Sequence, residues 1–237
     1  MSSVETRWRA PLPRRLLATG MIAGRRRGSG ALQWVLALVL LVSPAAAADL
    51  TGRVVDANGA PLADAVVFVQ SGAPPPAAGT TPTAVIDQIG KQFVPHVLVV
   101  PVGTAVSFPN RDQIHHHVYS FSPAKTFEIP LYKGEQAQPV VFDQPGAVKL
   151  GCNIHDWMSG VILVVPTSYF ASTDASGGFT LRDVPAGPLT VVAWHETSQT
   201  PVDTTAQQVD AGAPPLTFTL DTAPRRARHG GGARSYE

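Results

Sequence analysis

The sequence predicts an all-β protein built as a β-sandwich, and three observations lead to this prediction. From residue 49 onward, short apolar runs rich in Val, Ile, Phe and Thr recur along the chain. Turn signals such as Asn58-Gly59, Pro145-Gly146 and Pro185-Ala186-Gly187 separate these runs. No segment after residue 49 keeps a sustained helical period. Short strands divided by such turns are typical of sandwiches and barrels.

The predicted strands follow one another closely. They include the runs 53–55, 65–69, 97–100, 104–108, 117–121, 140–142, 161–165, 178–181, 189–194 and 216–220. Roughly ten strands over about 170 residues suit two small sandwiches better than one, and a single domain is the alternative. Segment 74–79 contains only Pro, Ala and Gly, which predicts a linker or a long loop.

Residues 1–48 are predicted to be a secretory signal peptide. A basic group at Arg25–Arg27 precedes an apolar run over 31–42, and the small residues 44–48 offer a cleavage site. This apolar run of 12 residues is shorter than the span of about 20 residues that a bilayer requires. We therefore expect a periplasmic or secreted protein with no stable membrane span after cleavage. An uncleaved anchor is the alternative, and Met21 is an alternative start.

The charge distribution changes once this leader is removed. Seven of the 18 Lys and Arg residues precede Asp49, but only one of the 17 acidic residues does, which leaves 11 positive and 16 negative residues and a net charge of −5. An acidic fold favours basic partners and disfavours nucleic acid. Residues 222–237 contain four arginines and a Gly triplet, so they are predicted to form a disordered basic tail.

Cys152 is the only cysteine of the chain. A lone cysteine in an exported protein excludes an internal disulfide and leaves a free thiol, an intermolecular bridge or a metal ligand. A free thiol is prone to oxidation in an oxidising compartment, and a bound metal would protect it. A lone buried cysteine is more often a small core residue. Here, His155 and Met158 follow at intervals of three residues, and this spacing favours metal ligation.

The candidate donors form a Cys/His/Met set that is typical of copper. The triplet His115-His116-His117 lies upstream, with His116 36 positions before Cys152, and offers a second imidazole. One thiolate, two imidazoles and a weak axial thioether match the site that proteins use for electron transfer through copper. The sequence has no Gly-x-Ser-x-Gly motif, and a single cysteine excludes a dinuclear centre with two thiolates. We therefore do not expect an enzyme.

The segment from about Ile86 to Val165 resembles the cupredoxins, the type 1 copper proteins. Three stretches carry the resemblance: residues 93–110, the sequence His116-His117-Val118, and the pattern Cys152-x-x-His155-x-x-Met158-x-Gly160. The short loop is similar to that of amicyanin, and the whole chain resembles exported proteins of the methylamine-utilisation type. The resemblance implies a Greek-key β-sandwich that holds one type 1 copper ion.

The resemblance also implies the ligands, which are His116, Cys152, His155 and Met158. His116 is chosen because the family places its first ligand two residues before a strand valine, here Val118. His115 and His117 are the alternatives. Cupredoxins commonly carry Asn directly after this ligand, and His117 replaces it here. Asn110 resembles a framework asparagine that ties the ligand loops together.

The flanking residues carry a second resemblance. Residues 49–72 together with 167–221 resemble a carboxypeptidase-regulatory-like, transthyretin-like β-sandwich, through the pattern Val-x-Asp-x-x-Gly-x-Pro-Leu and the later Thr-Asp-x-x-Gly-x-Phe. This implies a cupredoxin domain at 84–166 that is inserted in, or fused to, the flanking sandwich. The alternative is that the early strands extend the metal domain.

The function expected from these features is periplasmic electron transfer by copper cycling between Cu(I) and Cu(II). The expected partner is a redox protein such as a c-type cytochrome, an oxidase or a dehydrogenase. A copper chaperone or storage module is one alternative, although the sequence has no Met-rich tract. A non-redox structural or interaction protein is the other.

Overall fold

The computed structural model describes residues 47–77, 79, 81–134, 138–199 and 202–223. Apart from one short 3₁₀ helix at Val202–Thr205, the regular structure in these residues consists of β-strands, which confirms the predicted all-β class. All the strands belong to one compact unit, 43–237. None of the helices in the described residues has the length and apolar character needed to cross a bilayer. The predicted leader lies almost wholly outside the described residues, as does most of the basic tail, so both stay predictions.

The strands are numbered in chain order. The first nine are β1 (Ala48–Asp56), β2 (Val66–Ser71), β3 (Thr83–Val85), β4 (Asp87–Ile89), β5 (Gln92–Val94), β6 (Val97–Pro101), β7 (Thr104–Ser107), β8 (His116–Ser122) and β9 (Lys125–Tyr132). The others are β10 (Val140–Phe142), β11 (Gly146–Gly151), β12 (Ser159–Val165), β13 (Phe170–Ser172), β14 (Gly178–Val184), β15 (Pro188–Trp194), β16 (Gln207–Asp210) and β17 (Leu216–Leu220).

The middle of the chain forms a cupredoxin-like β-sandwich, as predicted. A five-stranded sheet in the order β6-β12-β11-β8-β9 faces a three-stranded sheet in the order β10-β7-β3, and the hairpin β4-β5 lies beside them. Alternate residues of these strands point between the sheets because side chains alternate along a strand. The core between the sheets includes Val106, Phe108, Val118, Phe142, Val148, Leu150, Ile162 and Val164.

The two ends of the chain form a second pair of sheets. One has the order β14-β1-β17 and the other the order β13-β2-β15-β16. In the first, the N-terminal β1 pairs in parallel with β17, so strands from distant parts of the chain are neighbours. The core of this pair is separate from the first and includes Leu50, Val54, Val67, Val69, Leu181, Leu189, Val191, Phe218 and Leu220. The predicted domain boundaries are not tested by this arrangement and stay a prediction.

Strand β12 is buried on both of its faces. Ile162 and Val164 point into the core of the cupredoxin-like sandwich. Leu163 and Val165 point the other way and pack against Val66, Phe68 and Val192 of β2 and β15. A strand with two buried faces needs a continuous apolar run, and residues 160–165 provide it. This strand holds the C-terminal end of the loop that contains Cys152.

The ten predicted runs all coincide with strands, but the structure contains seven more. These are β3, β4, β5, β9, β11, β13 and β16. Four of them have only three residues, too few to show a pattern. β9 and β16 lie at sheet edges and expose polar or charged side chains, with Pro130 within β9. Edge strands are often charged or contain Pro, which weakens the apolar signal.

Candidate metal centre

Residues 152–158 form the loop that joins β11 to β12. Gly151 ends β11, Ser159 starts β12, and these two residues pair across the ladder. Inside the loop, the N–H of His155 donates to the carbonyl of Cys152 (3.4 Å), and the N–H of Met158 donates to that of His155 (2.9 Å). Each bond closes a turn between residues three apart. This repetition explains the spacing in the sequence, because the three candidate donors fall at the corners of two successive turns.

His116 reaches the same place from the neighbouring strand. It is the first residue of β8, which pairs antiparallel with β11 through Tyr119 and Gly151. In an antiparallel pair, moving back along β8 from Tyr119 corresponds to moving forward along β11 from Gly151. His116 therefore lies beside the start of the loop that carries Cys152.

The structure brings three of the four predicted ligands into one cluster. The candidate donor atoms of His116, Cys152 and His155 all lie within 4.8 Å of one another. The Nδ1 atom of His116 is 3.9 Å from Sγ of Cys152, and Nδ1 of His155 is 3.7 Å from it. The two imidazole centroids are 5.0 Å apart. All three side chains are buried.

These separations fit a single metal ion. Metal bonds of about 2.0 Å to nitrogen and about 2.3 Å to sulfur can span at most about 4.3 Å between the two donors. Both Nδ1–Sγ separations are shorter than this limit. Two imidazoles and a thiolate are donors that suit copper. The residues present therefore fit the metal that the sequence predicts.

Met158 lies at the end of the same loop and is only 1 % exposed. It belongs to the apolar cluster that also contains Cys152, Leu150 and Val118. Its side chain is thus part of the core that also contains the Cys152 side chain. This position is compatible with an axial ligand, and equally with core packing, so the ligand role of Met158 stays a prediction.

The other two histidines of the triplet lie elsewhere. His115 is exposed. His117 is buried, but its Nε2 atom bonds to Glu128 of β9 (2.8 Å) and its ring packs beside Tyr119. Among the described residues, its Nδ1 atom has no hydrogen-bond partner. Neither neighbour of His116 therefore belongs to the donor cluster.

The electrostatic environment keeps His155 neutral. Burial lowers its pKa, and the neighbouring His116 and Lys91 lower it further, whereas Asp112 acts in the opposite direction. A neutral imidazole has one ring nitrogen with a free lone pair, which a metal requires. The His155 side chain is therefore prepared to bind a metal near neutral pH.

Asn110 orders the loop that precedes His116. It is buried, and its Nδ2 donates to the carbonyls of Ile114 (2.9 Å) and Tyr132 (3.0 Å). Its Oδ1 accepts the N–H of Asp112 (2.9 Å). Asn110, which the sequence predicts to tie loops together, thus connects the loop before His116 to the end of β9.

The sequence did not predict a polar pair formed by the buried Gln88 and the half-buried Tyr132. Gln88 Nε2 donates to the hydroxyl of Tyr132, and this hydroxyl donates to the carbonyl of Phe108. Burial raises the pKa of Tyr132 to about 12; the bond from Gln88 opposes the rise, and the charge of Cys152 adds to it. A tyrosine at the end of an edge strand has no distinctive sequence pattern, so no signal marked it.

Two further histidines lie outside the donor cluster. His96 is half-buried, and its Nδ1 donates to the carbonyl of Ser159 (3.0 Å) while its Nε2 bonds to Glu196 (2.6 Å). This contact links the start of β12 to the residues after β15. His195 bonds through Nδ1 to the hydroxyl of Thr197 (2.9 Å). Both contacts are structural.

One side of the centre approaches solvent. His155 is 9 % exposed, compared with 0 % for His116 and 3 % for Cys152. Three large apolar side chains close in sequence to the clustered histidines are exposed, namely Ile114, Ile154 and Trp157. The ring of Trp157 lies 5.4 Å from the ring of His155. We call these three side chains the apolar rim.

Comparison with solved structures finds copper proteins. A purple cupredoxin from Nitrosopumilus maritimus is 26 % identical over 35 % of this chain and 98 % of its own, with a TM-score of 0.31. A reduced Cu(I) form of an amicyanin variant is 25 % identical over 43 % of this chain and 98 % of its own, with a TM-score of 0.33. A copper-containing nitrite reductase from Thermus scotoductus is 28 % identical over 38 % of this chain, with a TM-score of 0.33.

This chain spans only 25 % of the nitrite reductase. At TM-scores of 0.31 to 0.33, the likenesses do not carry a functional assignment. No protein-family model matches the chain, and no curated protein does.

Proposed function

We propose that this protein is a one-electron carrier that binds one copper ion in a type 1 site. The proposed ligands are His116, Cys152, His155 and Met158. One observation carries the proposal: a thiol and two imidazole nitrogens, all buried, lie within 4.8 Å of one another. These are donors that suit copper, and both Nδ1–Sγ separations are short enough for one ion to join them.

Copper bound by these groups would supply one-electron chemistry by changing between Cu(II) and Cu(I). The protein contributes the geometry. β8 fixes His116, and β11 and β12 fix the two ends of the loop that carries the other donors. Burial excludes water from Cys152 and Met158. Four protein ligands leave no position for a substrate, so we propose a carrier and not an enzyme.

We further propose that electrons leave through His155 and the apolar rim. His155 is the most exposed of the three clustered donors, and Trp157 lies against its ring. An apolar surface allows brief, dry contact with a redox partner. The net charge of −5 after the leader favours a basic partner by electrostatic steering. A c-type cytochrome, an oxidase or a dehydrogenase would fit this description.

The remaining parts of the proposal concern organisation and compartment. We propose that residues 49–72 and 167–221 form a transthyretin-like sandwich into which the copper domain, 84–166, is inserted. The two separate apolar cores support this division. We also propose export to the periplasm, or secretion, which the basic and apolar leader sequence supports.

The test is to purify residues 49–237, add Cu(II), and record the visible spectrum and a redox titration. We expect an intense thiolate-to-copper band that disappears on reduction and returns on oxidation. Cys152→Ala and His116→Ala should both abolish this band. His115→Ala and His117→Ala are the matched controls and should keep it, since neither side chain belongs to the donor cluster.

The possible outcomes separate the alternatives. A colourless protein that binds only Cu(I) would support a chaperone or storage module in place of the carrier. A folded protein that binds no copper would leave a structural or interaction module. A band that survives in His116→Ala but is lost in His117→Ala or His115→Ala would overturn the choice of the first ligand.

A further inference from the structure

Asp112 connects three parts of the molecule beside the donor cluster. Its Oδ2 lies 2.8 Å from Nε2 of His116 and also accepts the N–H of Lys91 (2.8 Å). Its Oδ1 accepts the N–H of Gly90 (2.7 Å). Gly90 and Lys91 form the turn between β4 and β5. One carboxylate therefore ties this turn, its own loop and the candidate ligand His116 together.

The bonding pattern determines which nitrogen of His116 carries the proton. Asp112 accepts two backbone N–H groups, so its carboxylate acts as an acceptor. Because both oxygens of Asp112 already accept backbone N–H groups, Nε2 of His116 must donate to Oδ2. A neutral His116 then carries its lone pair on Nδ1, the atom that faces Sγ of Cys152.

The burial of the pair makes the orientation firm. The side chain of His116 is fully buried and that of Asp112 is 17 % exposed. Rotating the His116 ring would leave a buried N–H of His116 without its acceptor, which carries a free-energy penalty. Among the described residues, the His155 ring bonds instead through Nδ1 to Sγ of Cys152 (3.7 Å).

We propose that Asp112 is a positioning residue that orients His116 for copper and lowers the reduction potential of the site. This inference rests on the proposed function for its copper part. A carboxylate bonded to the outer N–H of a ligating histidine increases the electron donation of the ring. A stronger donor and a nearby negative charge both stabilise Cu(II) relative to Cu(I), so the potential falls.

The variant Asp112→Asn tests this proposal. The amide has an NH₂ group in place of one carboxylate oxygen. This NH₂ group would face another donor, either the backbone N–H groups of Gly90 and Lys91 or Nε2 of His116. The matched control is Asp143→Asn, which removes the same charge from an exposed side chain bonded to Lys125. Asp112→Ala is a second variant that removes the bonds without adding a donor. Thermal unfolding of the copper-free proteins checks that each variant is folded.

The first measurement uses copper-free protein and nitrogen NMR of the histidine rings at about pH 8, above the ordinary pKa of histidine. In the unsubstituted protein, we expect His116 to carry its proton on Nε2. In Asp112→Asn and Asp112→Ala, this preference should be lost, whereas Asp143→Asn should retain it. An Nδ1–H tautomer in the unsubstituted protein would overturn the orienting role without reference to copper.

The second measurement uses the copper-loaded proteins. We expect Asp112→Asn to weaken Cu(II) binding by about 10–100-fold, with a smaller effect on Cu(I). A tenfold difference between the two oxidation states corresponds to a rise of about 59 mV in the potential. Equal potentials in Asp112→Asn and Asp143→Asn would overturn the effect on the potential. A protein without the thiolate band would overturn this part together with the proposed function, while the NMR result still decides the orienting role.

Discussion

The ring of Tyr119 lies over Gly151, the residue immediately before Cys152. The two residues pair directly across β8 and β11. A methyl group on Gly151 would lie 2.6 Å from Cζ of Tyr119 and 2.7 Å from its hydroxyl. Gly151 is therefore required by the approach of an aromatic ring at the base of the ligand loop.

This contact predicts that Gly151→Ala destabilises the copper-free protein. Overpacking of this kind typically costs about 1–3 kcal/mol, which denaturant unfolding would measure. Tyr119→Leu is the partner substitution, because a smaller side chain leaves room for the methyl group. The double variant should be more stable than the sum of the two single effects predicts. Simple additivity would mean that the ring is not the obstacle.

Met158→Leu tests the axial role of the thioether. Leu has a similar volume, so the stability loss should remain below about 1.5 kcal/mol. If Met158 is the axial ligand, its loss removes a donor that stabilises Cu(II), and the reduction potential should rise. Redox titration of both proteins measures the shift. An unchanged potential and spectrum would place Met158 in the core alone.

The raised pKa of Tyr132 predicts an alkaline effect on stability. Burial moves this pKa from 10.0 to about 12, so the folded protein disfavours the tyrosinate. The stabilisation is complete below about pH 10 and is lost as the pH rises towards about 12. In an absorbance titration of tyrosinate, Tyr132→Phe should remove the component that titrates last. Tyr169→Phe is the control and should leave that component in place.

The apolar rim predicts how fast two molecules exchange electrons. Trp157→Lys places a charge beside His155 but replaces none of the four proposed ligands, so the visible band should persist. Self-exchange between the Cu(I) and Cu(II) forms, measured by NMR line broadening, should slow by about tenfold. Phe121→Lys is the control, because Phe121 is exposed on β8 outside the rim. Equal slowing in both variants would argue against the rim as the exit.

The fold class could be predicted from the sequence because many of its strands are clearly apolar and are separated by turn residues. β12 and β15 have continuous buried runs, so their pattern is strong. β9 was missed because an exposed edge strand needs little apolar character. β11 was missed because Gly146, Gly151 and Lys149 interrupt its apolar residues.

The candidate site, too, could be predicted from the sequence only in part. Cys152, His155 and Met158 are three residues apart because two successive turns join them. This spacing alone indicates that they belong to one site. Choosing His116 from its triplet required the resemblance, and the cluster geometry agrees with that choice. The sequence could not identify Asp112 as part of the site, because a loop carboxylate usually bonds only to its own neighbours in the chain. Its bond to His116 depends on the fold of the whole loop.

The double burial of β12 also limits how the site can open. Met158 directly precedes a strand that packs into one core with Ile162 and against the second pair of sheets with Leu163. Peeling this strand away would expose both packing surfaces at once, so local opening there approaches the cost of global unfolding. Amide hydrogens of residues 160–165 should therefore exchange among the slowest in the molecule. The C-terminal end of the ligand loop is therefore joined to a strand whose opening we expect to cost nearly as much as global unfolding.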